Sequence, residues 1–182
     1  MLKISENPPV KPEGLDSLCA LEGDWWVAHT KARSEKALAW DMIANEIAYF
    51  LPMTRKIAYW GGRKRQVMTP IFPSYVFFCG DLATKHRVMT TNRVCQSIPV
   101  RQRDQFVAEL EAIEIALHSD MNLTFYPFAT IGRRCRVRQG PLLGIEGPII
   151  QNDDITRLVL QVSMLGQGVA LEISPDLLEP VD

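Results

Sequence analysis

The first half of the chain alternates between strand-like and helix-like patterns of apolar residues. Gly61 and Gly62 form a turn pair between two extended segments, which predicts a β-hairpin. Leu38, Met42 and Ile43 recur at helical spacing, and Ser34 is placed to cap that helix. The predicted elements are a strand at 25–30, a helix at 34–46, extended chain at 49–57 and a returning strand at 65–69.

The next segments repeat this alternation. Residues 75–78 place Tyr75 and Phe77 on one face of a strand and two apolar side chains on the other, so both faces should be covered. Asp81 can cap a short helix that runs to about Met89. A further strand at 94–100 and an amphipathic helix at 103–118 complete a predicted first domain of antiparallel strands backed by helices.

After Asp120 the helical period stops and short alternating strands take over. Arginines alternate with Cys135 and Val137, glycines punctuate the turns, and two later runs of aliphatic residues each share one face. This pattern predicts a small SH3-like β-barrel, and so an α+β chain. The predicted organisation is a disordered leader at 1–23, a first domain at 24–120, a linker at 121–130 and the barrel at 131–182.

Charge is strongly segregated along the 182 residues, although the net charge is only -1. Residues 50–103 carry ten basic side chains against Asp81 alone, a balance of +9. Such a block is either a solvated face or a surface for a polyanion. Arg63, Lys64 and Arg65 fall at the predicted hairpin tip, where we expect nucleic-acid contact, with Trp60 as a candidate stacking partner.

Several classes of protein are disfavoured by the composition. No apolar run is long enough to span a bilayer and no signal peptide is apparent, so we expect a cytoplasmic protein without a membrane partner. The four cysteines lie far apart, which favours reduced thiols. The three histidines lack metal-ligand spacing, and neither a phosphate loop nor a nucleophile motif is present, so we expect no metal, no cofactor and no enzymatic activity.

Three blocks of sequence resemble the NusG family of transcription factors. They are WWVAHTKARSE at 25–35, TPIFPSYVF at 69–77 and GRRCRVRQGPLLGIEG at 132–147. The resemblance implies a NusG-type N-terminal domain followed by a KOW domain. The compact first domain looks closer to specialised paralogs such as RfaH and other antiterminators than to the housekeeping factor.

The resemblance also implies how the first domain would act. Members dock on the clamp helices of RNA polymerase through an apolar pocket and suppress pausing and termination. The matching positions here are Phe72, Tyr75 and Phe77. His86 matches part of a second polymerase contact, although the hydroxyl residues that accompany it in RfaH-type proteins are displaced here.

Contacts with the non-template DNA of the elongation complex are implied for Lys31 and for the pair Asn92-Arg93. The KOW domain would bind a small-subunit ribosomal protein or the termination factor Rho. Its matching positions are Leu142, Ile145, Met164, Leu165 and Gln167. An alternative is an RNA-binding or ribosome-associated KOW protein, which explains the basic tract and the barrel but leaves the block at 69–77 unexplained.

Overall fold

The structure is a computed structural model that describes residues 6–119, 121–127, 132–152 and 155–181, and of Trp60 and Asn152 the backbone only. The chain divides into two compact units, residues 1–103 and 104–182. The two units differ in secondary structure. The first combines sheets with helices, whereas the second is dominated by strands.

The first unit is built on a four-stranded antiparallel sheet with the strand order β2-β5-β1-β6. A separate two-stranded sheet, the β3–β4 hairpin, follows β2 in the chain. The strands are β1 (Trp25–Thr30), β2 (Ala48–Phe50), β3 (Met53–Trp60), β4 (Arg63–Pro70), β5 (Tyr75–Cys79) and β6 (Val94–Pro99), and the helices are α1 (Glu35–Ala44) and α2 (Leu82–Thr90).

Both faces of the four-stranded sheet are buried, as the apolar pattern predicts. One face carries Trp26 and Phe78 into a core cluster that also contains Leu38 and Met42 of α1. On the other face, Trp25 and Val27 of β1 are 1% and 0% exposed. Strand β1 therefore serves two apolar layers, and its first four residues, at positions 25–28, are all apolar and buried.

The two helix starts of the first unit differ in how they are capped. Asp81 caps α2 as predicted, since its carboxylate accepts a hydrogen bond of 2.8 Å from the backbone N–H of Thr84. That hydrogen bond also lowers the pKa of Asp81. Ser34 stands at the start of α1 but makes no side-chain capping bond, because its backbone is already helical (φ -98°, ψ -1°).

Residues 6–23, which we expected in a disordered leader, make specific contacts in the first unit. Leu18 is fully buried. The carbonyl of Val10 accepts a hydrogen bond of 2.7 Å from the N–H of Leu51, and the carbonyl of Pro9 accepts one of 2.8 Å from the Tyr49 hydroxyl. Prolines remove N–H donors but leave carbonyls free to accept, so this proline-rich stretch can be ordered by donors from β2 and the residue after it.

The second unit joins a long helix to a six-stranded antiparallel sheet with the strand order β12-β8-β9-β10-β11-β7. The helix α3 (Arg103–His118) has the predicted bounds. Its apolar stripe, including Phe106 and Leu110, is buried. The strands are β7 (Leu123–Tyr126), β8 (Arg134–Val137), β9 (Glu146–Asn152), β10 (Ile155–Val162), β11 (Gln167–Glu172) and β12 (Leu178–Pro180).

Strand β7 lies inside the segment that we expected to be a linker. It pairs with β11 in the register Leu123↔Leu171, and Leu123 is 9% exposed. A four-residue strand with one buried side chain gives little periodic signal, so its partner rather than its own pattern determines its conformation.

Close backbone packing explains one of the glycines in this sheet. A Cβ on Gly147 would lie 2.4 Å from the carbonyl oxygen of Val159. The glycine therefore lets β9 approach β10 closely.

Both units combine antiparallel sheets with helices, which confirms the predicted α+β class. Within the described ranges, the helices lack the combination of length and apolar composition that crossing a membrane requires.

Candidate functional site

The three aromatic residues expected to form a docking pocket differ sharply in accessibility. Phe72 and Phe77 are 1% and 0% exposed, so both belong to the interior. The Phe77 ring stacks on Phe50 with centroids 6.4 Å apart, and Phe72 meets Phe77 edge-on at 5.8 Å. These two rings therefore act as packed support in this conformation rather than as accessible surface.

Tyr75 is the accessible member of that set. It is half-buried at the start of β5, and the β1–β5 register places it opposite His29, with ring centroids 5.2 Å apart. Ser74, directly before it, has a positive φ of 65°. The Glu35 carboxylate accepts a 2.7 Å hydrogen bond from the Ser74 N–H, and the Ser74 carbonyl accepts one of 2.8 Å from Thr30. These two bonds hold a backbone conformation that serine rarely adopts, and so they set the entry of Tyr75 into β5.

Three residues that we expect to contact DNA lie together, although they come from two distant parts of the chain. Lys31, directly after β1, donates a 2.8 Å hydrogen bond from Nζ to Oδ1 of Asn92, and its backbone N–H donates to the carbonyl of Arg93 at 2.8 Å. Arg93 also forms an ion pair with Asp41 of α1. Lys31 and Asn92 are exposed, whereas part of the Arg93 charge is balanced by Asp41.

The predicted hairpin exists and extends beyond its predicted strands. Trp60 and Arg63 are the last cross-strand pair before the turn, in which Gly61 and Gly62 have φ values of 55° and 73°. Positive φ at both central residues matches a turn that suits the right-handed twist of two strands. The tip residues Arg63, Lys64 and Arg65 are all exposed. The Trp60 side chain, a predicted stacking partner, lies outside the described residues.

A lysine ties the base of this hairpin to α1. Lys36 donates hydrogen bonds of 2.6 Å from Nζ to the Met68 carbonyl of β4 and to Oδ1 of Asn7. Burial lowers the pKa of Lys36, and the neighbouring Glu35 opposes that shift. The N–H of Ile71 also donates to the carbonyl of Pro52 at 2.8 Å, which closes the hairpin at its base.

His86 lies on the exposed side of α2. Its neighbour Lys85 places its ammonium 4.8 Å from the ring centroid of Trp26. Thr90 and Thr91, the displaced hydroxyl residues, donate to the carbonyls of Arg87 and Val88 in the last turn of the helix. Their hydroxyls are therefore engaged locally at the helix end.

The expected partner-binding positions of the second unit are only partly accessible. Leu142 is 1% exposed and forms core, whereas its neighbour Leu143, which sequence reasoning missed, is 67% exposed. Met164 is 38% exposed. The remaining expected positions, Ile145, Leu165 and Gln167, are half-buried.

The turn that carries Met164 is fixed by α3. Glu109 accepts a hydrogen bond of 2.9 Å from the N–H of Ser163 and another from its hydroxyl. Gln105 donates to the same hydroxyl at 3.3 Å. A cavity of about 570 Å³ lies beside these residues and is lined by α3, β9 and β10.

The alternating arginines of β8 are paired with carboxylates. Arg136 donates to Glu146 at 2.6 and 2.8 Å, a bond that raises the pKa of the arginine. Arg134 approaches Glu146 at 3.8 Å, and Arg138 approaches Glu179 at 3.9 Å. The positive charge of these arginines is therefore largely balanced by nearby carboxylates.

Among the residues described, no group of three or more His, Cys, Asp or Glu side chains could hold a metal ion. The described cysteines are free thiols, and burial raises the pKa of Cys79. The first unit presents three accessible features: the Tyr75 ring on β5, a polar corner at Lys31 and Asn92, and the basic tip of the hairpin.

A comparison with protein families matches residues 23–116 to the NusG model, which is described as transcription termination factor nusG. The match begins just before β1 and ends within α3. It therefore takes in the four-stranded sheet and the hairpin. The comparison with curated proteins found no match.

Proposed function

Because the chain belongs to the NusG family, whose members are non-enzymatic transcription factors that generally bind RNA polymerase, we propose that it is an elongation factor that suppresses pausing and termination. It would dock on the clamp helices of RNA polymerase and act as an antiterminator at particular operons, in the manner of RfaH-like paralogs. The family match over the first unit supports the polymerase partner. The compact first domain and its basic tract support the specialised role.

The single observation that carries the docking proposal is the accessible ring of Tyr75, held on β5 against His29. An aromatic ring on a rigid strand can bury apolar area at low entropic cost. Phe72 and Phe77 would position this surface from beneath rather than touch the clamp helices. His86, exposed on α2, would supply a second polymerase contact.

We propose that the corner formed by Lys31, Asn92 and Arg93 contacts the non-template DNA strand. The Lys31–Asn92 hydrogen bond joins an ammonium and an amide, which are both common partners of phosphate oxygens. The basic hairpin tip would extend this contact along the DNA. The corner and the hairpin tip together would form a positively charged surface whose affinity for DNA falls as the salt concentration rises.

The second unit would act as a KOW domain that recruits a small-subunit ribosomal protein or Rho. Met164 and Leu143 are the exposed apolar side chains near the expected positions. The pairing of the β8 arginines with Glu146 and Glu179 supports this role over an RNA-binding KOW protein. Paired arginines offer less charge to RNA phosphates than unpaired ones do.

The test uses the full chain and a peptide that carries the polymerase clamp helices, with binding measured by calorimetry. Tyr75→Ala is expected to weaken binding at least tenfold, whereas Tyr75→Phe, which keeps the ring, should bind as the unmodified protein does. Near-ultraviolet circular dichroism would establish that both variants are folded. Unchanged binding by folded Tyr75→Ala would reject Tyr75 as a docking residue.

A further inference from the structure

The β3–β4 hairpin exposes two large apolar side chains that packing does not explain. Tyr59 is 74% exposed and Ile57 is 54% exposed. Both belong to β3 and are separated by two positions, so they point to the same face of the hairpin. An aromatic ring left in solvent on a protruding element is a recurrent feature of binding surfaces.

The hairpin carries a dense positive charge around these side chains. Residues 53–70 contain five basic and no acidic residues. The five are Arg55, Lys56, Arg63, Lys64 and Arg65, and all are exposed. Within the described part of the chain, none of the five pairs with a carboxylate.

The register sorts these groups onto the two faces of the hairpin. Lys64 lies directly opposite Tyr59, and Arg55 precedes Ile57 by two positions on the same face. Directly opposed residues in an antiparallel pair have Cβ atoms about 5 Å apart. One face therefore presents a ring and an aliphatic side chain with a cation at each end.

This combination of groups identifies the class of ligand. A polyanion satisfies the two cations of this face, Lys64 and Arg55, and a flat apolar moiety satisfies the ring. A single strand of nucleic acid offers both, because its bases are unpaired and can leave the stack. A duplex offers phosphates and base edges to such a hairpin but no base face for the ring, since its base faces are covered by neighbouring pairs.

We propose that Tyr59 is a base-stacking residue and that the face it shares with Ile57 binds single-stranded DNA. Lys64 and Arg55 would meet the phosphates on either side. This assignment rests on the proposed DNA contact of the protein and names the ligand of its hairpin. In addition to the phosphate contacts of the tip cations, it assigns to Tyr59 and Ile57 contacts with bases that do not depend on charge.

The spacing along the strand is compatible with successive bases. Tyr59 and Ile57 are two residues apart, which is about 6.7 Å along an extended strand. That is about twice the 3.4 Å rise between stacked bases in B-DNA. A single DNA strand stretched to about twice its rise per base in B-DNA therefore places one base on the Tyr59 ring and the next on the Ile57 side chain.

The test is fluorescence anisotropy of the full chain with a labelled mixed-sequence single strand, and with the duplex of the same sequence, over a range of salt concentrations. Tyr59→Ala is expected to weaken single-strand binding about 5- to 150-fold while leaving the slope of log affinity against log salt unchanged. Tyr59→Phe should bind within about twofold of the unmodified protein, because it keeps the ring. Duplex binding should be the same for all three proteins.

A matched control is Trp40→Ala, which removes another accessible ring, 43% exposed, from α1 instead of the hairpin. It should leave single-strand binding unchanged, and far-ultraviolet circular dichroism would confirm that each variant is folded. Full binding by Tyr59→Ala, or an equal loss of affinity for the duplex, would overturn the stacking assignment. Neither result would affect the polymerase-docking proposal, which is tested separately with the Tyr75 variants. Failure of the unmodified protein to bind the single strand at low salt would overturn both this assignment and the proposed DNA contact of the hairpin.

Discussion

The β3–β4 hairpin and the C-terminal six-stranded sheet both present arginines on antiparallel strands that meet at glycine-containing turns, yet their side chains meet different surroundings. In the hairpin, Arg63 and Arg65 are exposed and face no described carboxylate. In the sheet, Arg136 lies between Glu146 and Glu179. Charge pattern along one strand therefore does not determine the charge that a surface presents, because the neighbouring strand can cancel it.

The same two regions also differ in how they are stabilised. The sheet buries Leu158 and Leu171 completely, whereas most hairpin side chains from Arg55 to Gln66 are exposed. Two strands without a covered face are marginal in water. The hairpin depends on its base, where Lys36 and the Ile71–Pro52 hydrogen bond attach it to the first unit.

The largest expected contrast between the two regions is in stability. Leu158→Ala should lower the free energy of unfolding by about 2–5 kcal/mol, because truncating this fully buried side chain leaves a cavity in the core. Ile57→Ala should change it by about 0.5 kcal/mol or less, since that side chain already faces solvent. Urea unfolding followed by circular dichroism would measure both. Similar losses for the two variants would mean that the hairpin is covered in solution.

The next contrast is in nucleic-acid binding. The double variant Arg63→Ala with Arg65→Ala should weaken single-strand binding about tenfold at low salt and reduce the salt slope by about 1.4, at about 0.7 for each lost phosphate contact. The matched pair Arg134→Ala with Arg138→Ala removes the same charge from the start of β8 and from the residue directly after it, where carboxylates already oppose it. This control should leave the slope unchanged, and an equal effect of both pairs would reject a specific hairpin contact.

The smallest expected contrast concerns the ion pairs themselves. Arg136→Ala should lower the thermal midpoint by at most a few degrees at low ionic strength, because exposed ion pairs contribute little and are screened by salt. Arg65→Ala should produce no such loss, since it removes no described pair. Differential scanning calorimetry at low and high salt would resolve the two. A loss for Arg136→Ala that persists in high salt would point to packing by the arginine stem instead.

Much of the framework could be predicted from periodicity. The bounds of β1 and α3 match their predictions, and both faces of β5 are apolar because both are covered. The Gly61-Gly62 turn was also predictable, because only a few residue pairs favour positive φ at two consecutive positions. These features arise from short-range rules that act within a few residues.

Features that depend on distant partners were harder to predict. Leu18 follows a polar stretch rich in proline and acidic residues, so its burial could not be expected from the composition of that segment. The alternation of β5 indicates which aromatic rings share a face, but it cannot show that Phe77 is covered while Tyr75 is accessible. Tyr59 was missed because the basic residues around it dominate the local pattern.

The attachment of residues 6–23 has a consequence for the order in which the first unit forms during synthesis. These residues are translated before their partners: the carbonyl of Leu21 accepts a 2.6 Å hydrogen bond from Arg103, which lies 82 residues further along the chain. Leu51 and Cys79 supply other donors to the same segment. Such contacts close long loops and form late. On the ribosome, the segment must therefore wait until the whole of the first unit has emerged before it can complete that unit.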